Sequence, residues 1–167
     1  MYLHRLIFLF TLLISVQYIA AQQNGAKPGL KISGEVTKPF TLSADEFAKM
    51  KHSSANMVEH DGSSHAFTGV LIQDILELAG VTTGKQLRGK NLSKYLLVKC
   101  ADGYQVVFAL AELDSGFTDR KIMLADASEG KPLPAGKGPY RVIVPGEKRP
   151  ARSCLQVTEF VIGIAKE

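Results

Sequence analysis

Asp102-Gly103-Tyr104, Ala111-Glu112-Leu113, Gly130-Lys131-Pro132-Leu133-Pro134 and Gly138-Pro139-Tyr140-Arg141-Val142-Ile143-Val144-Pro145-Gly146 lead into a basic turn, Lys148-Arg149-Pro150-Ala151-Arg152. The reading of the fold turns on this stretch. Asp-Gly between two β-rich runs is a hairpin signal, because a tight two-residue turn needs positive φ at its centre. It predicts strands over 95–101 and 105–109, with a helical turn at 110–113. Residues 122–125 are short and apolar, as in a buried strand. Pro132, Pro134, Gly136 and Gly138 keep the next segment irregular. Residues 140–144 read as a strand that Pro145-Gly146 stops, and 157–164 as the last strand.

Upstream, Leu30, Ile32 and Val36 alternate with polar residues, as in a half-buried strand, and Thr37-Lys38-Pro39 turns the chain. Ser43-Ala44-Asp45-Glu46 is a capping box, predicting a short helix through Phe47 and Met50. Residues 51–66 are polar and read as a hairpin or a long loop. Thr68-Gly69 is expected to open the clearest helix: Leu71, Ile72, Ile75, Leu76 and Ala79 recur at helical spacing, and Gly80 suits its C-terminal end. Residues 82–94 read as a surface loop. Strands of mixed spacing with two or three short helices predict an α+β fold with a mixed or antiparallel sheet.

The N-terminus predicts a secretory signal over 1–21. His4 and Arg5 precede an apolar run from Leu6 to Val16, too short to span a bilayer, and Ala21 offers a cleavage site. Residues 22–29 read as a linker and 30–167 as one domain, long enough for a real core. The expected location is periplasmic or secreted, with no membrane association after cleavage. The net charge is +4, and losing residues 1–21 removes only Arg5. That balance is too mild for nucleic-acid binding. The two cysteines, Cys100 and Cys154, either pair or remain as buried thiols; spacing alone does not decide.

The colinear order from 67 to 161 resembles the molybdopterin-binding domain of the sulfite-oxidase-like oxidoreductases. Thr68-Gly69-Val70-Leu71-Ile72 with Asp74-Ile75-Leu76 is similar to that family's Thr-Gly helix. Asp102-Gly103-Tyr104 with Ala111-Glu112-Leu113 resembles its hairpin and following turn, and the Gly130–Pro134 and Arg141–Pro145 segments resemble its closing strands. The resemblance implies a single domain of that fold and a molybdopterin-type cofactor. It also implies two-electron, oxygen-atom-transfer chemistry, with the metal held by the pterin sulfurs and one cysteine thiolate.

That thiolate belongs to a loop upstream of the Thr-Gly pair, here Asn56-Met57-Val58-Glu59-His60, and no cysteine lies between Gln22 and Lys99. Met57 stands near the expected ligand position, and a neutral thioether is a poor replacement for a soft thiolate. No metal ligand is therefore assigned. The resemblance places the phosphate of a pterin, or another small anionic ligand, at Lys148, Arg149 and Arg152, with Tyr104, His60 and His65 bordering the reactive face. His52, His60 and His65 share one polar segment, but their spacing does not set two on one helical face. No haem motif is present, so a redox partner would be a separate protein. Two readings follow: an oxidoreductase of this family, or a non-catalytic binding or scaffold module on the same fold with its cofactor site lost.

Overall fold

The computed structural model describes residues 29–165. The expected signal at 1–21 and nearly all of the 22–29 linker lie outside the described residues. Among the described residues no helix is long and apolar enough to cross a membrane.

Ten strands of the described residues form two five-stranded sheets. The first runs β2-β1-β10-β5-β6, from Phe40–Leu42, Leu30–Gly34, Val157–Ile164, Lys94–Cys100 and Gln105–Ala109. It is mixed, because β1 pairs β10 in parallel while its other pairs are antiparallel. The second is antiparallel. β3 (His52–Val58) pairs β4 (Ser64–Leu71), and β4 pairs β7 (Met123–Ser128). On its other edge β7 takes β8 (Lys131–Pro132) at one end and β9 (Arg141–Ile143) at the other. Three short helices complete the α+β fold among the described residues: α1 (Ala44–Lys49), α2 (Ile72–Leu78) and α3 (Leu110–Leu113). The expected surface loop at 82–94 carries two 3-10 turns, Gly84–Gln86 and Gly89–Ser93.

The capping box forms as read. Glu46 N–H donates to Ser43 Oγ at 3.3 Å, and Ser43 N–H donates to the Glu46 carboxylate at 2.9 Å. Residues 51–66 resolve as a hairpin, with His52 opposite Val70 and Val58 opposite Ser64. One expectation is corrected. Thr68-Gly69 does not open a helix; it lies inside β4, and α2 begins only at Ile72. The reason is burial on both faces. β4 is flanked by β3 and β7, and the core has two parts, one on each side of this sheet.

Val70, Leu124 and Val142 point into the larger core with Phe47, Leu96, Phe108 and Phe160. Met57, Phe67, Met123, Ala125 and Ile143 point into the smaller one. Successive residues of β7 and β9 thus serve opposite cores, as strand geometry requires. A strand covered on both sides shows an unbroken apolar run instead of alternation, which mimics the start of a buried helix. Gly69 settles the matter locally: a Cβ there would lie 2.1 Å from the Leu124 carbonyl oxygen. Each fully buried Leu, Ile or Phe contributes roughly 1.5–3 kcal/mol.

Candidate functional site

β3 carries its inward-facing residues at alternate positions, and Met57 is the last of them inside the strand. Two residues on, Glu59 keeps the same facing, just past the strand end. There it meets Arg141, the one charged residue of the buried strand β9. Arg141 Nη1 and Nη2 donate to the two Glu59 carboxylate oxygens at 2.5 and 3.0 Å. Its Nε donates to the Ser153 carbonyl at 3.3 Å, and its guanidinium lies 5.2 Å from the Phe67 ring centroid. The Arg141 side chain is 5% exposed and that of Glu59 17%. A guanidinium so buried needs such a bidentate partner, because an unpaired charge in the interior is very costly. The hydrogen bonds from Arg141 hold the Glu59 carboxyl below its ordinary pKa, against the opposing effect of burial; Lys137 and His65 act in the same direction as Arg141.

This ion pair lies at a cleft of about 130 Å³, lined also by His65, Phe67, Ser128, Leu133, Pro134 and Lys137. The hairpin turn shapes one wall. Glu59 N–H donates to the Ser63 carbonyl at 2.8 Å, and Asp61 accepts from Ser63 N–H and Oγ at 2.9 and 2.5 Å. Gly62 at φ 84 closes the turn. Ser63 Oγ is 2.9 Å from His65 Nε2, and the other ring nitrogen is 3.7 Å from Glu129. Lys137 is exposed and is the cation of the lining without a carboxylate partner among the described residues.

The residues expected at a ligand separate into two groups. His65 lines the cleft, while His60 is exposed on the hairpin turn. Met57 is 4% exposed and packs in the smaller core, so its thioether faces no opening. Tyr104, Lys148, Arg149 and Arg152 belong to the other group. Tyr104 is at the tip of the β5–β6 hairpin, where its hydroxyl donates to the Ala151 carbonyl at 3.1 Å. Lys148 and Arg149 are exposed with no carboxylate partner among the described residues. Arg152 is not free: it pairs with Glu147 and, at 3.0 Å, with Glu112, and its guanidinium is 4.6 Å from the Phe108 ring centroid. Its charge is already neutralised within the fold. The three histidines of the polar segment do not converge either. His52 is at the far end of the hairpin from His65, with Nδ1 on the Met50 carbonyl at 2.9 Å.

Glu59, Phe67, Lys137 and Arg141 were not singled out by the sequence. The signal for the central pair was present: a lone arginine in an apolar strand demands a buried acceptor. Its partner lies 82 residues away, so no local pattern names it.

The geometry defines a domain of two packed sheets with a polar cleft at the end of the second. The chain matches the family described as oxidoreductase molybdopterin binding domain over residues 19–150, and it belongs to that family. Among solved structures it is similar to the sulfane dehydrogenase SoxCD from Paracoccus pantotrophus. The identity is 19% with a TM-score of 0.65, over 82% of this chain. The match spans 38% of the SoxCD chain, so the likeness concerns the fold of one part of that protein. No curated protein matches the chain.

The family implies a molybdopterin cofactor, and the donor set of the cleft does not suit its metal. The β3–β4 hairpin offers no thiolate, and its inward carboxylate, Glu59, is bound on both oxygens by Arg141. The two cysteines are buried in the larger core, away from this cleft's lining. Among the described residues no three His, Cys, Asp or Glu side chains are gathered for a metal ion. A cleft of about 130 Å³ is also well below the roughly 300–1,000 Å³ that holds a ligand of drug size.

Proposed function

We propose that this chain is an exported binding module on the molybdopterin-binding fold, taking a small anionic ligand at the Lys137 cleft without metal-based catalysis. The observation that carries this reading is the Glu59–Arg141 clasp, which occupies the hairpin end where the family resemblance puts a metal-binding thiolate. Clasped this way, Glu59 has both carboxylate oxygens engaged by Arg141, and its charge is compensated beneath the cleft. Lys137 then supplies an unmatched positive charge at the opening, with His65 and Ser128 as hydrogen-bonding neighbours. Phe67, Leu133 and Pro134 supply an apolar wall that lowers the local dielectric and strengthens the charge interaction. Lys148 and Arg149 are a second exposed positive feature, outside the lining of this cleft. The export assignment rests on the apolar run at 6–16 and the small residue Ala21.

Calorimetric titration of the mature protein with phosphate and with sulfate tests the reading. Saturable binding is expected, weakened roughly tenfold in Lys137→Ala, as befits one lost charge-assisted contact. Absence of saturable binding, or binding untouched by Lys137→Ala, overturns it. The second reading is a pterin-loaded oxidoreductase with a separate redox partner, and the family match over 19–150 favours it. Cofactor content distinguishes the two.

A further inference from the structure

Two reactive groups that the cleft does not use face each other inside the larger core. Cys100 closes β5, and Cys154 follows the 3-10 turn Pro150–Arg152. Their residues are 6% and 5% exposed. The backbone brings their segments together in two places: Cys100 is opposite Val157 in the β5–β10 ladder, and Ala101 N–H donates to the Gln156 carbonyl at 2.9 Å. Val142 N–H of β9 donates to the Cys154 carbonyl at 3.0 Å and fixes that residue's backbone. Gln156 adopts φ 50, a left-handed bend unusual for a residue with a side chain, and so folds the 154–157 segment back against the end of β5. The two buried thiols are near enough for each to shift the ionisation of the other.

We propose that Cys100 and Cys154 form a dithiol–disulfide couple, whose oxidation joins the end of β5 to the segment that follows the basic loop. The oxidant is a disulfide compound reacting by thiol exchange. The Cys100 sulfur attacks one sulfur of that disulfide, breaking its S–S bond and releasing one thiolate. The Cys154 sulfur then attacks Cys100 in the mixed disulfide, forming the internal bond and releasing the second thiolate. The two cysteine protons finish on the two released thiols. The protein's sulfurs are oxidised by two electrons and the oxidant's are reduced by two.

Cys100 is the attacking member on position and on chemistry. It is next to the exposed turn 101–104, whereas the Cys154 backbone is held on Val142 of the buried strand β9. The neighbouring Cys154 favours the Cys100 thiolate and lowers its pKa, while the same pairing and then burial raise that of Cys154. The internal bond would tie down the segment whose Ser153 carbonyl holds Arg141 Nε. The inference stands independently of what the cleft binds.

The mature wild-type protein is equilibrated with oxidised glutathione, then alkylated under denaturing conditions and weighed intact. The expected product is a monomer two hydrogens lighter than the reduced chain, with neither cysteine alkylated. It should melt roughly 10 °C higher than the reduced form, since the bond closes a loop of about 55 residues. Cys154→Ser should accumulate one glutathione on Cys100. Two alkylated cysteines in the folded wild type, or a wild type that stops at the glutathione adduct, overturn the proposal. An adduct on Cys154 in Cys100→Ser overturns the order of attack.

Discussion

Replacing Glu59 with alanine would leave the Arg141 guanidinium with one acceptor, the Ser153 carbonyl, in a site where its side chain is 5% exposed. Breaking a fully buried ion pair costs about 3–5 kcal/mol, most of it from the charge left behind. Glu59 is 17% exposed, so water can partly reach the vacated edge, and the expected cost falls at the lower end, about 3 kcal/mol. For a domain of this size that lowers the melting temperature by roughly 10 °C. Circular dichroism at neutral pH measures it. Glu59→Gln keeps an acceptor and loses the charge, so about half the effect is expected. Arg141→Met removes the buried charge itself, and adding Glu59→Ala to it should cost little more.

The acid limb gives an independent check of the same pair. A carboxyl with a depressed folded pKa stabilises above its unfolded value and loses that contribution as pH falls through the folded value. Wild-type stability should therefore decline below about pH 4.3, the unfolded glutamate value, and the Glu59→Ala difference should shrink with it. A Glu59→Ala protein melting within about 3 °C of wild type at neutral pH would refute the clasp as a structural element.

Three further outcomes are expected. Glu159, held by Lys31 at 2.8 Å and Lys99 at 3.2 Å, has its pKa lowered to about 2, with the Lys31 contact the largest cause. Glu159→Gln should cost about 2 kcal/mol at neutral pH, and the difference should fade from about pH 5 towards pH 2 in acid titrations followed by tyrosine fluorescence or circular dichroism. Gly69→Ala places a methyl 2.1 Å from the Leu124 carbonyl oxygen and 2.4 Å from the Ala125 Cα, both backbone atoms of β7. A loss of about 3 kcal/mol in urea unfolding is expected, with the second sheet affected first. Ser43→Ala removes the side-chain acceptor at the start of α1 and should cost about 1 kcal/mol.

Much of the fold was legible because its signals are local. The Ser43–Glu46 box, the Asp102-Gly103 hairpin and the strand Val157–Ile164 each show in a few consecutive residues, and each formed where it was read. The helix start at Thr68-Gly69 failed for a physical reason. β4 is buried on two sides, so Val70, Leu71 and Ile72 run together without alternation and join the true helix pattern behind them. The division into two sheets was equally hidden, because it depends on pairings far apart in sequence, β1 with β10 and β4 with β7.

The candidate site was less legible. His65 lines the Lys137 cleft apart from Tyr104, Lys148 and Arg149, and Arg152 is taken up by Glu112 and Glu147. A charge in a sequence does not reveal whether a carboxylate 40 residues away has already claimed it. The same holds for Glu59 with Arg141 and for Cys100 with Cys154, pairs made by the closing of the second sheet and of the β5–β10 ladder.

The most direct test is the metal and pterin content of the mature protein, purified folded and monodisperse from a host that makes molybdopterin. A binding module with its hairpin carboxylate clasped by Arg141 should carry neither molybdenum nor pterin. About one of each per chain would contradict that reading and return the protein to two-electron redox chemistry with a ligand set other than cysteine.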